Sequence, residues 1–253
     1  MTLLHVKNLS LSIAERQLVK RVSFTINPGE CLGLVGESGC GKTLLAQSIL
    51  LPKACVDEGE ILFQGENLLA KTAPELRKIR GGKIGMIFQE PMTSLNPLMT
   101  VGDQIIETLQ IHKRLSKKEA RQEAKALLAS VGISESQLRI QQYPFEFSGG
   151  MQQRVMIAMA IACKPLLLIA DEPTTALDVT LQAEILHLLA ELQKEMGLGI
   201  LFISHDLGVV AKLCKRVLVM HKGSIVEEGV TSQIFESPAH PYTQQLLLWR
   251  RKK

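Results

Sequence analysis

Long apolar runs are missing from this 253-residue chain. None approaches the roughly 18–20 residues that a membrane-spanning helix needs. The opening MTLLHVKNLS also lacks a basic segment followed by an apolar signal core, which predicts a cytoplasmic protein. Cysteines are few and scattered: the five, at 31, 40, 55, 163 and 214, include no C-x-x-C pair. Neither a zinc site nor a disulfide framework is indicated, and reduced thiols are expected. Aromatic residues are scarce at 4%, and no basic stripe interleaved with aromatics is present, which argues against a nucleic-acid partner. The net charge of +4 comes from scattered Lys and Arg, concentrated only at Arg250 to Lys253, an ending read as a solvated tail. What is present is an ordinary globular composition, 46% hydrophobic and 21% charged, enough for one large domain.

The first third alternates β-rich runs with turn signals: Leu3–Val6, Leu18–Ile26 closed by Asn27-Pro28-Gly29, and Cys31–Val35 entering a glycine-rich loop with a helix from Lys42. Gly59–Phe63 and Lys83–Phe88 read as further strands. Between about 90 and 160 the texture turns helical, with a capping box at Ser116-Lys117-Lys118-Glu119 and a stop at Gly132. Strand and helix patterns then alternate again: Leu166–Ala170, a helix over 180–196 stopped by Gly197, Ile200–Ser204, Val217–Met220 and Ser224–Glu227. Leu181, Ile185, Leu188, Leu192 and Met196 recur at helical spacing as one buried face. Apolar strands alternating with helices imply an α/β core with a mainly parallel sheet.

Gly36-Glu37-Ser38-Gly39-Cys40-Gly41-Lys42-Thr43 fits G-x-x-x-x-G-K-[ST] between a strand and a helix. Glycines let the backbone curl its N–H groups toward phosphates, Lys42 adds a point charge, and Thr43 suits Mg²⁺. Cys40, beside Lys42 and near a helix N-terminus, is expected to be an acidified, reactive thiol. Leu166 to Ala170 is an apolar strand ending in Asp171 and Glu172, suited to holding Mg²⁺ and to orienting the water that attacks a γ-phosphate. Lys42 and Asp171 lie about 130 residues apart, more than one βαβ crossover needs, so an insertion lies between them. It ends in Phe147-Ser148-Gly149-Gly150-Met151-Gln152-Gln153-Arg154, which places Ser148 and the glycines at a helix N-terminus able to cradle an anion.

In this order the motifs resemble those of the ATP-binding subunits of ABC transporters. The resemblance implies a P-loop NTPase core with an N-terminal antiparallel β portion and a helical insertion sub-domain at 90–160, all within one ABC ATPase domain spanning 1–253. It makes Gln89, in Ile87-Phe88-Gln89-Glu90-Pro91, a γ-phosphate sensor and Mg²⁺ contact, and His205, after Ile203-Ser204, a second γ-phosphate contact. Glu172 becomes the catalytic carboxylate. Ser148, Gly149, Gly150 and Met151 become the signature that binds the partner subunit's ATP, and Asp178 of Ala176-Leu177-Asp178 a subunit-contact residue. Ser237-Pro238-Ala239-His240-Pro241-Tyr242-Thr243, within a tail at 228–253, and Gln89–Pro97 (QEPMTSLNP) resemble the subfamily that imports peptides, nickel and related small solutes.

The function implied is ATP hydrolysis driving uptake, with ATP and Mg²⁺ bound. The implied partners are two membrane-spanning permease subunits, a second ATP-binding subunit (itself or a similar chain) and an extracytoplasmic solute-binding protein. The implied location is peripheral, on the cytoplasmic face of the inner membrane. A soluble relative acting on DNA or ribosomes would carry coiled coils or two cassettes, which 253 residues do not hold. Two departures stand out. Phe147 and Met151 replace the usual leucine and glutamine of the signature. Ser12-Ile13-Ala14 stands where relatives often place an aromatic on the adenine, so Ile13 is expected to recognise the base weakly unless another aromatic such as Phe24, or a residue of a partner, covers it. With no cysteine after Cys214, an iron–sulfur cluster is not expected.

Overall fold

The computed structural model describes residues 2–51, 56–175 and 177–250; Cys55, Ala176 and the basic end from 251 onward lie outside them. The chain runs β1 (Leu4–Ile13), β2 (Arg16–Ile26), β3 (Cys31–Val35), α1 (Lys42–Leu50), β4 (Val56–Phe63), β5 (Glu66–Asn67), α2 (Ala73–Ile79) and β6 (Ile84–Ile87). Helices α3 (Pro91–Ser94), α4 (Val101–Lys113), α5 (Lys117–Ser130), α6 (Ser136–Arg139) and α7 (Gly149–Ile161) follow. The remainder is β7 (Leu167–Asp171), α8 (Val179–Met196), β8 (Gly199–Ser204), α9 (Leu207–Leu213), β9 (Arg216–His221), β10 (Ser224–Val230), α10 (Thr231–Glu236) and α11 (Pro241–Arg250). Two compact units result: Met1–Leu76 with Gln193–Lys253, and Arg77–Leu192.

In the first unit β1 and β2 form an antiparallel hairpin in which Ile13 faces Arg16 across Ala14 and Glu15. Both turn residues have left-handed backbones, φ 46° and 63°, the form whose twist suits a two-residue hairpin. β1 is longer than the apolar alternation at Leu3–Val6 suggests. Register shifts after Val6 and Leu9 break the period-2 pattern while pairing continues to Ile13. The strands lie in the order β2-β1-β4-β5.

The same unit carries a second run of strands, β10-β9-β3-β8, in which β3 pairs in parallel with both β8 and β9. All five residues of β3 are buried, as a strand paired on both edges and covered on both faces must be. Helix α9 sits so close that a Cβ on Gly33 would lie 2.2 Å from Val210 Cγ1. The start of β3 also meets the end of α9: Cys31 and Cys214, 183 residues apart, place their sulfurs 3.0 Å from each other. Both are free thiols. Burial, followed by the Cys214 contact, holds the Cys31 thiol well above its ordinary range.

The second unit pairs β6 with β7 in parallel, Ile84 facing Leu167 through Ile87 facing Ala170, with every residue of both strands buried. Helix α5 opens with the expected capping box, Ser116 and Glu119 each accepting from the other's backbone N–H. It ends at Ser130, just ahead of Gly132 at φ 80°. Along α8 the expected positions Ile185, Leu188 and Leu192 are buried, joined by Leu186 and Leu189, whereas Leu181 and Met196 at the ends are half-buried.

Helix α7 crosses β6 at close range, because a Cβ on Gly85 would lie 2.2 Å from the Ala160 carbonyl oxygen. Backbone on backbone leaves no flexible side chain to yield. Gly85→Ala is therefore expected to cost about 1–3 kcal/mol. Thermal unfolding of the full chain should register this as a midpoint lower by roughly 2–4 °C per kcal/mol. An unchanged midpoint would mean that α7 and β6 separate freely.

Candidate functional site

In the first unit the phosphate-type loop leaves the carboxyl end of β3, where Val35 pairs with Ser204 of β8. Gly36 admits no side chain: a Cβ there would lie 2.2 Å from the Met220 carbonyl and 2.9 Å from Cys40 Sγ. Gly41 is the N-cap of α1 at φ 108°, and its Cβ position lies 3.1 Å from the Leu18 carbonyl of β2. Between them Glu37, Ser38 and Gly39 are exposed. Lys42 is 4% exposed, and its Nζ donates to the carbonyls of Gly36 and Glu37, each at 2.8 Å. Cys40 N–H donates to Glu37 O at 3.3 Å, and Cys40 O accepts from Gly223 N–H at 3.1 Å. The β9–β10 turn thereby grips the loop from one side.

This is an arrangement for an anion. Helix α1 carries no acidic residue in its first turn, so the positive end of its dipole and an ammonium face the same loop. Thr43 is exposed at the head of that helix. His205 follows β8 directly and is exposed. Beside it, Asp206 N–H donates to Ser204 Oγ at 3.0 Å and Asp206 caps α9 through Gly208 N–H at 2.7 Å, which fixes the chain on either side of the imidazole. Ile13, at the end of β1, is 49% exposed, whereas Phe24 is 5% exposed and part of the core. Phe24 therefore offers no open face to a base.

In the second unit β6 and β7 point the same way, so Gln89 and the pair Asp171 and Glu172 leave the same carboxyl edge. Gln89 is exposed and Asp171 is 2% exposed. Glu172 has a left-handed backbone, φ 48°, which costs a non-glycine residue about 1–2 kcal/mol. Thr175 secures it: its Oγ1 donates to Glu172 Oε2 at 2.9 Å, and its N–H to Glu172 O at 3.1 Å. Ser148 caps α7, accepting from Met151 N–H at 3.4 Å. Gly149 has open space around it, whereas Gly150 packs against Leu181, whose Cδ atoms lie 3.2 Å from its Cβ position. Phe147 is buried at 5% exposure with the Arg139 guanidinium 6.0 Å from its ring centre, so the departure from leucine enlarges the core beneath the loop and leaves the Ser148 cap in place. Met151 is half-buried. Asp178 is exposed and caps α8, Oδ1 accepting from the N–H groups of Thr180 and Leu181 at 3.0 and 2.9 Å.

Sequence reasoning missed the residues that hold the phosphate-type loop from outside it: Leu18, Met220, Gly223 and above all Tyr242, whose hydroxyl accepts from Glu37 N–H at 3.1 Å. The Ser237–Thr243 segment is conspicuous in sequence. Nothing in its spacing says where it docks.

Residues 19–175 match the family described as ABC transporter. The probable peptide ABC transporter ATP-binding protein y4tR of Sinorhizobium fredii is 51% identical, covering 97% of this chain and 76% of its own. The oligopeptide transport ATP-binding protein OppD of Bacillus subtilis is 52% identical, at 97% and 71% coverage, and the dipeptide transport ATP-binding protein DppD of the same organism 51%, at 96% and 75%. Among solved structures, a dimeric post-hydrolysis state of the ATP-binding cassette MJ0796 bound to ADP and Pi is similar at a TM-score of 0.80 and 31% identity, over 90% of this chain and 98% of that one.

Cys40 departs from expectation. Burial pushes its thiol above the ordinary range, and the Lys42 charge, with Nζ 4.0 Å from Sγ, and the backbone N–H groups of Lys42 and Cys40 lower it by less. Desolvation outweighs the adjacent cation because the thiolate would have to form inside the loop. At neutral pH a small alkylating reagent is expected to modify Cys40 more slowly than a free thiol, with the rate rising as pH increases past the ordinary thiol range. Peptide mass mapping decides this, and fast labelling at pH 7 would show an activated thiolate instead.

Proposed function

Because the chain belongs to the ABC transporter family, whose cassettes hydrolyse ATP, we propose that it is the ATP-hydrolysing subunit of an importer of short peptides, the solute class in its relatives' names. The observation that carries this reading is the loop Gly36–Thr43, with its curled backbone, acid-free helix start and buried Lys42 ammonium. The proposed roles follow the chemistry of each residue. Loop N–H groups and Lys42 bind the phosphates, and Glu172 orients and deprotonates the attacking water. Gln89 and His205 contact the γ-phosphate. The Ser148, Gly149, Gly150 and Met151 loop binds the ATP of a second ATP-binding subunit, and Asp178 lies at that subunit contact. The helices over 90–160 form the sub-domain that carries this loop, and the tail at 228–253 belongs to the importer subfamily.

Thr43 and Asp171 supply a hydroxyl and a carboxylate, the hard oxygen donors Mg²⁺ prefers, with Gln89 as a third contact. Among the described residues no cluster of three or more His, Cys, Asp or Glu could hold a metal. That fits an ion bound largely by substrate phosphates and water rather than by a protein cage. When bound, Mg²⁺ neutralises charge on the β- and γ-phosphate oxygens. No helix among the described residues is long and apolar enough to cross a membrane. Separate permeases, together with a solute-binding protein, would then carry the solute, with this chain docked at the cytoplasmic face. ATP would close two such subunits on each other and hydrolysis would release them, a transition driven by differential contacts with the nucleotide.

Two variants test the assignment in the purified complex. Lys42→Ala should abolish nucleotide binding or turnover. Glu172→Gln should keep ATP while slowing hydrolysis by orders of magnitude, so that size exclusion with Mg-ATP shows a trapped pair of subunits. Near-normal hydrolysis by either variant sinks the reading. Base recognition is a separate matter. Ile13 has no π-face, so ATP and GTP should bind with similar affinity, and Ile13→Tyr should tighten ATP by up to about tenfold. Equal titrations of the two forms would place the base away from Ile13.

A further inference from the structure

The C-terminal segment reaches the phosphate loop through a short, hydrogen-bonded turn. The Glu227 carboxylate accepts from the N–H groups of Ala239 and His240 at 2.7 and 3.1 Å, and His240 Nδ1 accepts from Tyr242 N–H at 3.1 Å. These bonds fix the backbone from which Tyr242 projects at the start of α11. The side chain is 5% exposed, and its ring lies on that of His221, centroids 3.8 Å apart and planes inclined by 30°. His221 ends β9, directly after Met220, the residue whose carbonyl confines Gly36. The Tyr242 hydroxyl then accepts from Glu37 N–H at 3.1 Å, while the Glu37 carbonyl accepts from Lys42 Nζ at 2.8 Å. Glu37 is thus held at both of its backbone polar groups, by the tail on one side and by the loop's own lysine on the other.

We propose that Tyr242 is a positioning residue for nucleotide binding: with His221 beneath its ring, it pins the Glu37 end of the phosphate loop, so that affinity for ATP depends on a side chain 205 positions away. The proposal rests on the loop's assignment as the ATP site and adds that the tail takes part in forming it. The chemistry suits the place. Burial pushes the Tyr242 phenol above its ordinary range, outweighing the pull of the Glu37 N–H, so the group stays neutral at physiological pH. A neutral acceptor can take the Glu37 N–H without adding negative charge beside a phosphate, which a carboxylate would do. Because one bond at the loop's first exposed residue limits how far Glu37 can swing, its loss should free the loop to populate shapes that do not bind.

Tyr242→Phe removes the hydroxyl alone and keeps the ring on His221. In the full chain, equilibrium titration with a fluorescent ATP analogue should show affinity weakened by about three- to tenfold, the scale of one lost hydrogen bond. In the purified complex KM for ATP should rise by more than kcat falls. Hydrogen exchange without nucleotide, followed on a peptide spanning 36–41, should quicken in the variant because Glu37 N–H loses its acceptor. His221→Ala should weaken affinity in the same direction, and the double variant should fall short of the product of the two, since both act through one contact. Unchanged affinity and exchange in Tyr242→Phe overturn the proposal, as does a lower melting temperature with unchanged affinity, which would make the residue packing only. Failure of the unaltered chain to bind nucleotide would instead remove the ATP-site reading, and the exchange measurement would still decide whether Tyr242 holds Glu37.

Discussion

The first unit depends on the placement of β3. Its five residues are buried, it pairs in parallel with β8 on one edge and β9 on the other, and α9 presses on Gly33 to the exclusion of any side chain. A strand confined on every side cannot slip register without moving its whole apolar content, so its carboxyl end is a fixed point. The loop that follows inherits that fixity. Met220 at the end of β9 closes on Gly36, Gly223 of the next turn bonds Cys40, and Leu18 of β2 closes on Gly41. Each is a contact with backbone, which is why glycine occupies both ends of the loop.

The second unit uses the same economy at a different place. Parallel β6 and β7 are buried throughout and deliver Gln89, Asp171 and Glu172 to one edge, with α7 packed against Gly85. The head of α7 is prepared by packing below and bonding above: Phe147 sits in the core, Gln152 Nε2 donates to the carbonyls of Pro144 and Phe147 at 2.8 and 3.2 Å, and Ser148 caps the helix. Glu172, like Arg114, Glu135 and Lys164 of this unit, has a left-handed backbone, and at the strand edge it is held by both donors of Thr175. Strain of this kind persists where surrounding structure over-determines it, and such residues cluster at reacting centres.

Much of this is local enough to be read along the chain. The Cys31–Val35 strand and the helix starting at Lys42 are found at the residues their patterns predict, because apolar runs, a glycine loop and a helix start are each signalled within a few positions. The capping box at Ser116 and Glu119 is equally local. β1 was legible only to Val6, since bulges disrupt the alternation on which strand reading relies. The phosphate loop, the acids after β7 and the signature loop were each visible as candidates, because their chemistry is carried by neighbouring residue types.

By itself the sequence determined most of the strands, the helices that begin near Lys42, Ser116 and Thr180, the glycine-rich anion loop with its lysine, and the family to which these motifs belong, all from periodicity and short-range spacing; strand β5 and helices α2, α9, α10 and α11 were not legible in it. Tertiary structure decided what depends on desolvation and on approach between distant segments. It buried Cys40 enough for desolvation to exceed the pull of Lys42, reversing the expected direction of its acidity. It placed Phe24 in the core and left Ile13 half exposed. It set Cys31 beside Cys214 and brought Tyr242 to Glu37. Burial and long-range proximity are properties of the packed chain, and no spacing along 253 residues encodes them directly.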